Sequence, residues 1–336
     1  MSRIRSPNDK KESRKEITCY AQIKERMKAM NKMKFEEFTT AVVEKIREYL
    51  PESFANASVE LQTITKNNEV KLTGLMIRST ESNISPTIYL EKFFDNYQSG
   101  EDMGKVLSEI AELRLQTEIK ATFDTDQVTD FSRARDRIIP RLVGLEANRK
   151  VLETRPHTVI ADLAVSYHIL LREEADAMSS IAITYPLMES WGTNTEELHA
   201  LALMNQQILL SSTFMPMSKV LGRLIGAGSE ISGLPMLPVS PEDEAMYVLS
   251  NKTNTNGASA LLDREIIQKV IETIGEDFFI LPSSVHEVII VPSTRDMSTT
   301  NLIDMVRDVN STLLPPEDIL SNNVYRYTLK DGLVLA

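Results

Sequence analysis

The stretch FFILPSSVHEVIIV, residues 278–291, constrains the fold more than any other part of this sequence. Phe278 to Leu281 and Val288 to Val291 are apolar at every position. A strand with one wet face alternates apolar and polar side chains, so two unbroken runs predict neighbouring strands of a sheet covered on both faces. Between them lies the insert Pro282-Ser283-Ser284-Val285-His286-Glu287, which reads either as a turn or as a cluster of reactive side chains.

The flanking sequence supplies the rest of a β-α-β-β-α-β unit. AMYVLSN (245–251) is a strand. LLDREIIQKVIETIG (261–275) is a helix with Asp263 as N-cap, Ile266, Ile267, Val270, Ile271 and Ile274 on one face and Gly275 at its end. TTNLIDMVRDVNSTLL (299–314) is a second helix, closed by Pro315-Pro316, and NVYRYTL (323–329) is a last strand whose alternation reads as a sheet edge. This order is the split-βαβ, ferredoxin-like arrangement. With right-handed crossovers it puts both helices on one face, leaving the other to be covered by the N-terminal domain, the favoured reading, or by a second copy of the chain. It also gathers three loops at one end: SNKTNTNGASA, PSSVHE and PPEDILSNN.

Upstream, MKFEEFTTAVVEKIREYL (33–50) has helical spacing of apolar residues and stops at Pro51. SVELQTITK and EVKLTGLMIRS are strands joined by a turn at Asn67-Asn68, and IYLEKFFDNYQSG and MGKVLSEIAELRLQ are helices. RIIPRLVGLEA is a strand that Pro140 assigns to an edge or bulge. DLAVSYHILL and MSSIAITYPLMESW read as two further strands. Thr193-Asn194-Thr195-Glu196 offers a capping box to a helix with Leu198, Leu201, Ala202, Asn205, Ile208 and Leu209 facing inward, where Asn205 requires polar partners. Residues 226–244 hold three glycines and three prolines, the composition of an extended connector. The expected fold is therefore α+β with two mixed domains, 33–225 and a ferredoxin-like 245–336, joined by that linker and preceded by a basic extension over 1–32.

Charge is distributed unevenly. The chain has a net charge of −11, yet residues 1–34 hold eleven Lys/Arg against four Asp/Glu. A basic tail can contact nucleic acid or an anionic membrane, though a solvated extension is the plainer reading, and the acidic remainder is read as a solvated surface. The one cysteine, Cys19, excludes a disulfide framework and cysteine metal sites. No apolar run approaches the ~18 residues of a bilayer span, and a soluble, cytoplasmic protein is expected.

The chemical signals are sparse. Glu196-x-x-His199 is a single carboxylate–histidine pair, and His157, His168 and His286 are separated in sequence, so neither a metal nor a cofactor is expected. The glycines at 222, 226, 228 and 233 have no phosphate-loop spacing. Ser283 or Ser284 with His286 and Glu287 supplies the residue types of a hydrolytic relay, but neighbouring residues on extended chain point to opposite sides. The gathered loops make Asn251, Lys252, Thr253, Ser283, Ser284, His286 and Glu287 a candidate rim for a ligand or partner.

Taken together, MKFEEFTTAVVEKIREYLP, ISPTIYLEKFFDNYQSG, DLAVSYHILL, TNTEELHALALMNQ and MYVLSN…GASALLD…DFFILPSSVHEVIIVP resemble an uncharacterised bacterial family, a domain of unknown function found in gut anaerobes and on their mobile elements. The resemblance covers residue 33 to the end. It implies a bacterial cytoplasmic protein of accessory or host-interaction character and transfers no activity or functional residue. The expectation is a non-enzymatic binding protein, monomeric or weakly dimeric, taking a macromolecular partner or a small anionic ligand. The alternatives are a hydrolase using the 283–287 turn and a nucleic-acid contact through residues 1–32, with no membrane association.

Overall fold

A computed structural model of the chain describes residues 32–79, 85–118, 123–174, 177–226, 246–275, 277–293 and 298–336. The basic segment, Lys32 apart, and the Gly/Pro-rich stretch from 227 to 245 lie outside the described residues. The chain falls into two compact units. One comprises the described residues up to Ile64 with Lys71–Phe123, the other Thr65–Val70 with Asp124–Ala336.

In the first unit, α1 (Phe35–Lys45) forms because Phe38 and Val42 recur one helical turn apart on a single face, and Ile46 continues that face into a 3₁₀ turn, Ile46–Tyr49. A three-stranded sheet runs in the order β1 (Ser58–Thr65), β2 (Lys71–Arg78), β3 (Thr87–Tyr89). The helix expected from Ile88 begins only at Glu91, as α2 (Glu91–Gln98), since Ile88 and Tyr89 pair with Leu75 and Gly74 of β2. Asp102 caps α3 (Met103–Gln116) by accepting from Gly104 N–H. Phe38, Leu75, Ile77, Leu90, Val106 and Ile110 meet in the core. Arg114 is buried with them, donating from Nε to Ile77 O at 3.0 Å and lying 4.8 Å from the Phe54 ring centre.

The second unit holds two sheets. In the smaller, β4 (Ile138–Gly144) pairs with the long β6 (Leu163–Glu174), whose other side takes β5 (His157–Ile160) and β7 (Ala177–Ala182). Pro140 sits on β4, an edge strand as expected. The strand expected through Trp191 stops at Ala182. Thr184 and Pro186 then start α4 (Tyr185–Trp191), because a hydroxyl N-cap and a proline in the first turn both suit a helix start. The cap of α5 (Thr195–Leu209) is Asn194, whose side chain accepts from Glu197 N–H. Asn205 finds its partners, donating to the carbonyls of Arg135 at 2.8 Å and Ile138 at 3.0 Å, whereas Ile208, expected inside, is 74% exposed.

The larger sheet is built from β8 (Ser212–Pro216), β9 (Tyr247–Asn251), β10 (Phe278–Leu281), β11 (Val288–Pro292), β12 (Tyr325–Thr328) and β13 (Gly332–Leu335). Their order is β13-β12-β10-β11-β9-β8, antiparallel throughout. Its helices are α6 (Met217–Gly226), α7 (Arg264–Ile274) and α8 (Thr299–Thr312). The element order β-α-β-β-α-β is present from β9 to β12, but the ferredoxin-like strand order is not. There the last strand lies beside the first, whereas here β12 lies beside β10.

That change decides where the helices go. β11 separates the parallel pair β9 and β10, and β10 separates the parallel pair β11 and β12. Two right-handed crossovers stepping the same way from strands of opposite direction fall on opposite faces. Accordingly, α7 packs Ile266, Ile267 and Val270 with Phe278, Ile280, Val288 and Ile290, while α8 packs Leu302 and Val306 with Leu281 and Val291. The sheet's own helices thus lie on both faces where one face was expected to hold both, and the α7 face is also covered by the earlier part of the chain, as expected. Two features place residues before 226 and after 245 in one unit. β8 pairs with β9, and Ile138, Tyr167 and Leu198 share a core with Leu249 and Phe278. The compact units therefore divide near residue 123, where the expected division was 226–244. β12 is also no edge, because β13 covers it.

Candidate functional site

The loop after β9 is organised by one carboxamide. Asn251, 2% exposed, accepts at Oδ1 from Thr253 Oγ1 (3.1 Å) and Thr255 N–H (3.2 Å), and donates from Nδ2 to Thr255 O (2.9 Å). Thr253 is held inside by this bond, and Lys252 and Asn254 are left exposed. Asn254 and Asn256 have φ of 49° and 52°, a region that asparagine tolerates better than most residues. Gly257 follows where no side chain fits. A Cβ there would stand 2.3 Å from Ser250 Oγ, 2.5 Å from His286 O and 2.8 Å from Asn251 N.

The insert 282–287 packs against that loop. Ser284 N–H donates to Glu287 O (3.1 Å), closing the turn, and Ser284 Oγ accepts from His286 N–H (3.0 Å). Ser250 Oγ donates to His286 O (2.8 Å), Ala258 N–H to Val285 O (3.2 Å) and Val285 N–H to Asp318 O (2.8 Å). The imidazole is bound at both ends. Nδ1 accepts from Asn256 N–H at 3.1 Å, which assigns the ring proton to Nε2, and Nε2 faces Asp318 Oδ1 at 3.2 Å. The 316–319 segment is itself gripped by Asn67, donating to Glu317 O and Ile319 O, and by Asn68, donating to Pro316 O and Ile319 O.

All seven residues named from the sequence therefore lie at the end of β9, in the loop after it or in the connection between β10 and β11, at one end of the larger sheet. Asn251, Thr253 and Ser284 are buried, Ser283, His286 and Glu287 are half-buried, and Lys252 is exposed. Neither Ser283 nor Ser284 bonds the imidazole, whose two contacts are Asn256 N–H and Asp318; Ser284 takes the backbone N–H of His286 instead. Asp318 and Asn256 escaped the sequence reading. Asp318 is 32 residues from His286, and Asn256 takes part through its backbone, which no side-chain pattern reports.

The other candidates are engaged elsewhere. His199 Nδ1 lies 3.1 Å from Tyr167 OH, and burial pushes that phenol up to about 12. Among the described residues, no group of three or more His, Cys, Asp or Glu is placed to hold a metal, and no helix is long and apolar enough to cross a membrane.

The family of unknown function DUF5688 matches residues 35–328, nearly the whole chain. The chain belongs to that family. Neither the curated proteins nor the solved structures contain a match to it. For this DUF5688 chain the match begins three residues after the start of the described region, at the first residue of α1, and ends with β12.

Proposed function

We propose that this DUF5688 chain is a non-enzymatic, cytoplasmic binding protein. On this reading the rim around Lys252, Asn254 and His286 engages a macromolecular partner or a small anionic ligand. The observation that carries it is the bonding of His286. A histidine that activates a serine must offer that serine a ring nitrogen, and both nitrogens of His286 are committed to a backbone amide and a carboxylate. Further support comes from the loop itself, where two asparagines at positive φ and a buried carboxamide hold the backbone on either side of an exposed lysine. Backbone held in rare regions marks shapes maintained for a purpose.

A hydrolase is the second reading, favoured by the Asp318–His286 pair, which has the orienting contact of a catalytic triad without its nucleophile. A serine-directed fluorophosphonate separates the two. We expect the intact mass of the protein to be unchanged after incubation, and stoichiometric labelling of Ser283 or Ser284 that His286→Ala abolishes would refute the binding reading. A nucleic-acid contact through residues 1–32 rests on charge alone. It predicts salt-sensitive retention on an immobilised duplex that a chain starting at residue 33 lacks.

A further inference from the structure

The smaller sheet carries cations that, among the described residues, no carboxylate pairs with. Strand alternation places Val165, Tyr167 and Ile169 of β6 in the core. Ser166 and His168 therefore face the other way, and the register puts Arg141 of β4 opposite Ser166. On that face Arg141 Nη2 donates to Ser180 Oγ at 2.8 Å, Ser180 Oγ lies 3.3 Å from His168 Nδ1, and Ser166 Oγ lies 3.4 Å from His168 Nε2. Arg141 Nε is fully buried with no hydrogen-bond acceptor. Among the described residues, neither Arg141 nor Arg155 forms an ion pair.

The electrostatics agree with this geometry. Burial, then the like charge of Arg155, push Arg141 down to about 10. Burial, then Arg141 and Arg155, hold His168 well below the usual histidine range. His157, whose Nδ1 contacts Arg155 O, lies on β5 opposite Ser166. A buried guanidinium with no counter-charge is costly unless something supplies one. Its Nε and Nη edges form a fork matched to two oxygens of one oxyanion. A neutral His168 can donate to only one of its two serines and must accept from the other; Ser166 Oγ has a second acceptor in Arg141 O at 3.4 Å, so the hydroxyl that can keep its proton for an outside acceptor is that of Ser180, when His168 donates to it.

We propose that Arg141, Arg155, Ser166 and Ser180 form a binding site for a small tetrahedral oxyanion, a phosphate group either free or carried as a monoester. Arg141 supplies the bidentate contact, Arg155 the second positive charge and one serine a neutral donor, while His168 is a positioning residue that orients the hydroxyls. The site lies on a different sheet from the rim and stands or falls independently of it.

Thermal unfolding and calorimetric titration of the full chain test this, with sodium phosphate, sodium sulfate and glycerol phosphate compared against sodium chloride at equal ionic strength. The wild type should show a saturable rise in Tm of about 2–4 °C with the tetrahedral anions and none with chloride. Tighter binding of glycerol phosphate than of phosphate identifies a monoester site, and the reverse identifies free phosphate. Arg141→Met should abolish the response while leaving the anion-free Tm equal to or above that of wild type, since an unpaired buried charge has been removed. Arg155→Met should weaken binding tenfold or more. If the methionine variant does not fold, Arg141→Lys keeps the charge and loses the fork, and should also bind at least tenfold more weakly. A wild-type chain that responds no more to phosphate, sulfate and glycerol phosphate than to chloride overturns the proposal. So does unchanged affinity in Arg141→Lys or Arg155→Met.

Discussion

His286 Nε2 lies 3.2 Å from Asp318 Oδ1, and the opposite ring nitrogen takes the N–H of Asn256 at 3.1 Å. One side chain thus ties together the loop before α7, the turn between β10 and β11, and the loop before β12. These bonds lie at a partly exposed end of the sheet, so each contributes modestly. His286→Ala should cost about 1–2 kcal/mol, and Ser283→Ala less than about 0.5 kcal/mol, in urea unfolding. A loss above about 3 kcal/mol for Ser283→Ala would mean that its hydroxyl has a structural partner this account lacks.

Gly257→Ala is expected to be the more damaging change at the same place. The new methyl would meet a hydroxyl and two backbone atoms inside 3 Å, and backbone cannot swing aside as a side chain can. Destabilisation toward the upper end of the about 1–3 kcal/mol typical of overpacking should follow, together with shifts of the His286 and Asn251 amide resonances. A neutral substitution would show that the loop approaches β11 less closely than described.

Tyr325 is fully buried and donates its hydroxyl to Asp162 Oδ1 at 2.6 Å, while Asn323 serves the other carboxylate oxygen. Burial and then that carboxylate hold the phenol far above its ordinary range. Tyr325→Phe leaves Asp162 short of one donor and should cost about 1–3 kcal/mol. The double change Tyr325→Phe with Asp162→Asn should recover part of the loss in a double-mutant cycle, and strict additivity would deny the coupling.

His168 gives the fold a pH dependence of known sign. Burial, then Arg141 and Arg155, depress it in the native state, so below the unfolded value of 6.5 the unfolded chain takes up the proton first. Stability is retained above that pH and is lost as pH falls through it. His199, lowered by burial, acts in the same direction. The urea midpoint should drop between pH 7.5 and 5, and His168→Gln should flatten the slope. An equal slope in the variant would assign the effect elsewhere.

The sequence was most legible where one residue type had one physical reason to be there. Asp263 caps α7, Pro140 marks an edge and Asn205 announces buried partners, and all three stand as read. The convergence of three loops at one end of the larger sheet was legible too, since it needs only strand directions. Strand order was not. Whether β12 joins the sheet beside β9 or beside β10 depends on which face α8 can cover, and amphipathic spacing is the same in either case. β8 was missed because STFMP is short and has no alternation that distinguishes it from a helix end. The setting of Arg141 was invisible because what marks it is that, among the described residues, no carboxylate lies beside it in space.

Whether this chain binds or hydrolyses turns on the tautomer of His286, since it decides which ring nitrogen is occupied. Long-range ¹⁵N–¹H correlation of the full chain at pH 8, with His286→Gln for assignment, reports it. The proton should be found on Nε2, with Nδ1 accepting from Asn256 N–H. A ring protonated at Nδ1 with Nε2 free would release a basic nitrogen for a serine and contradict the non-catalytic reading.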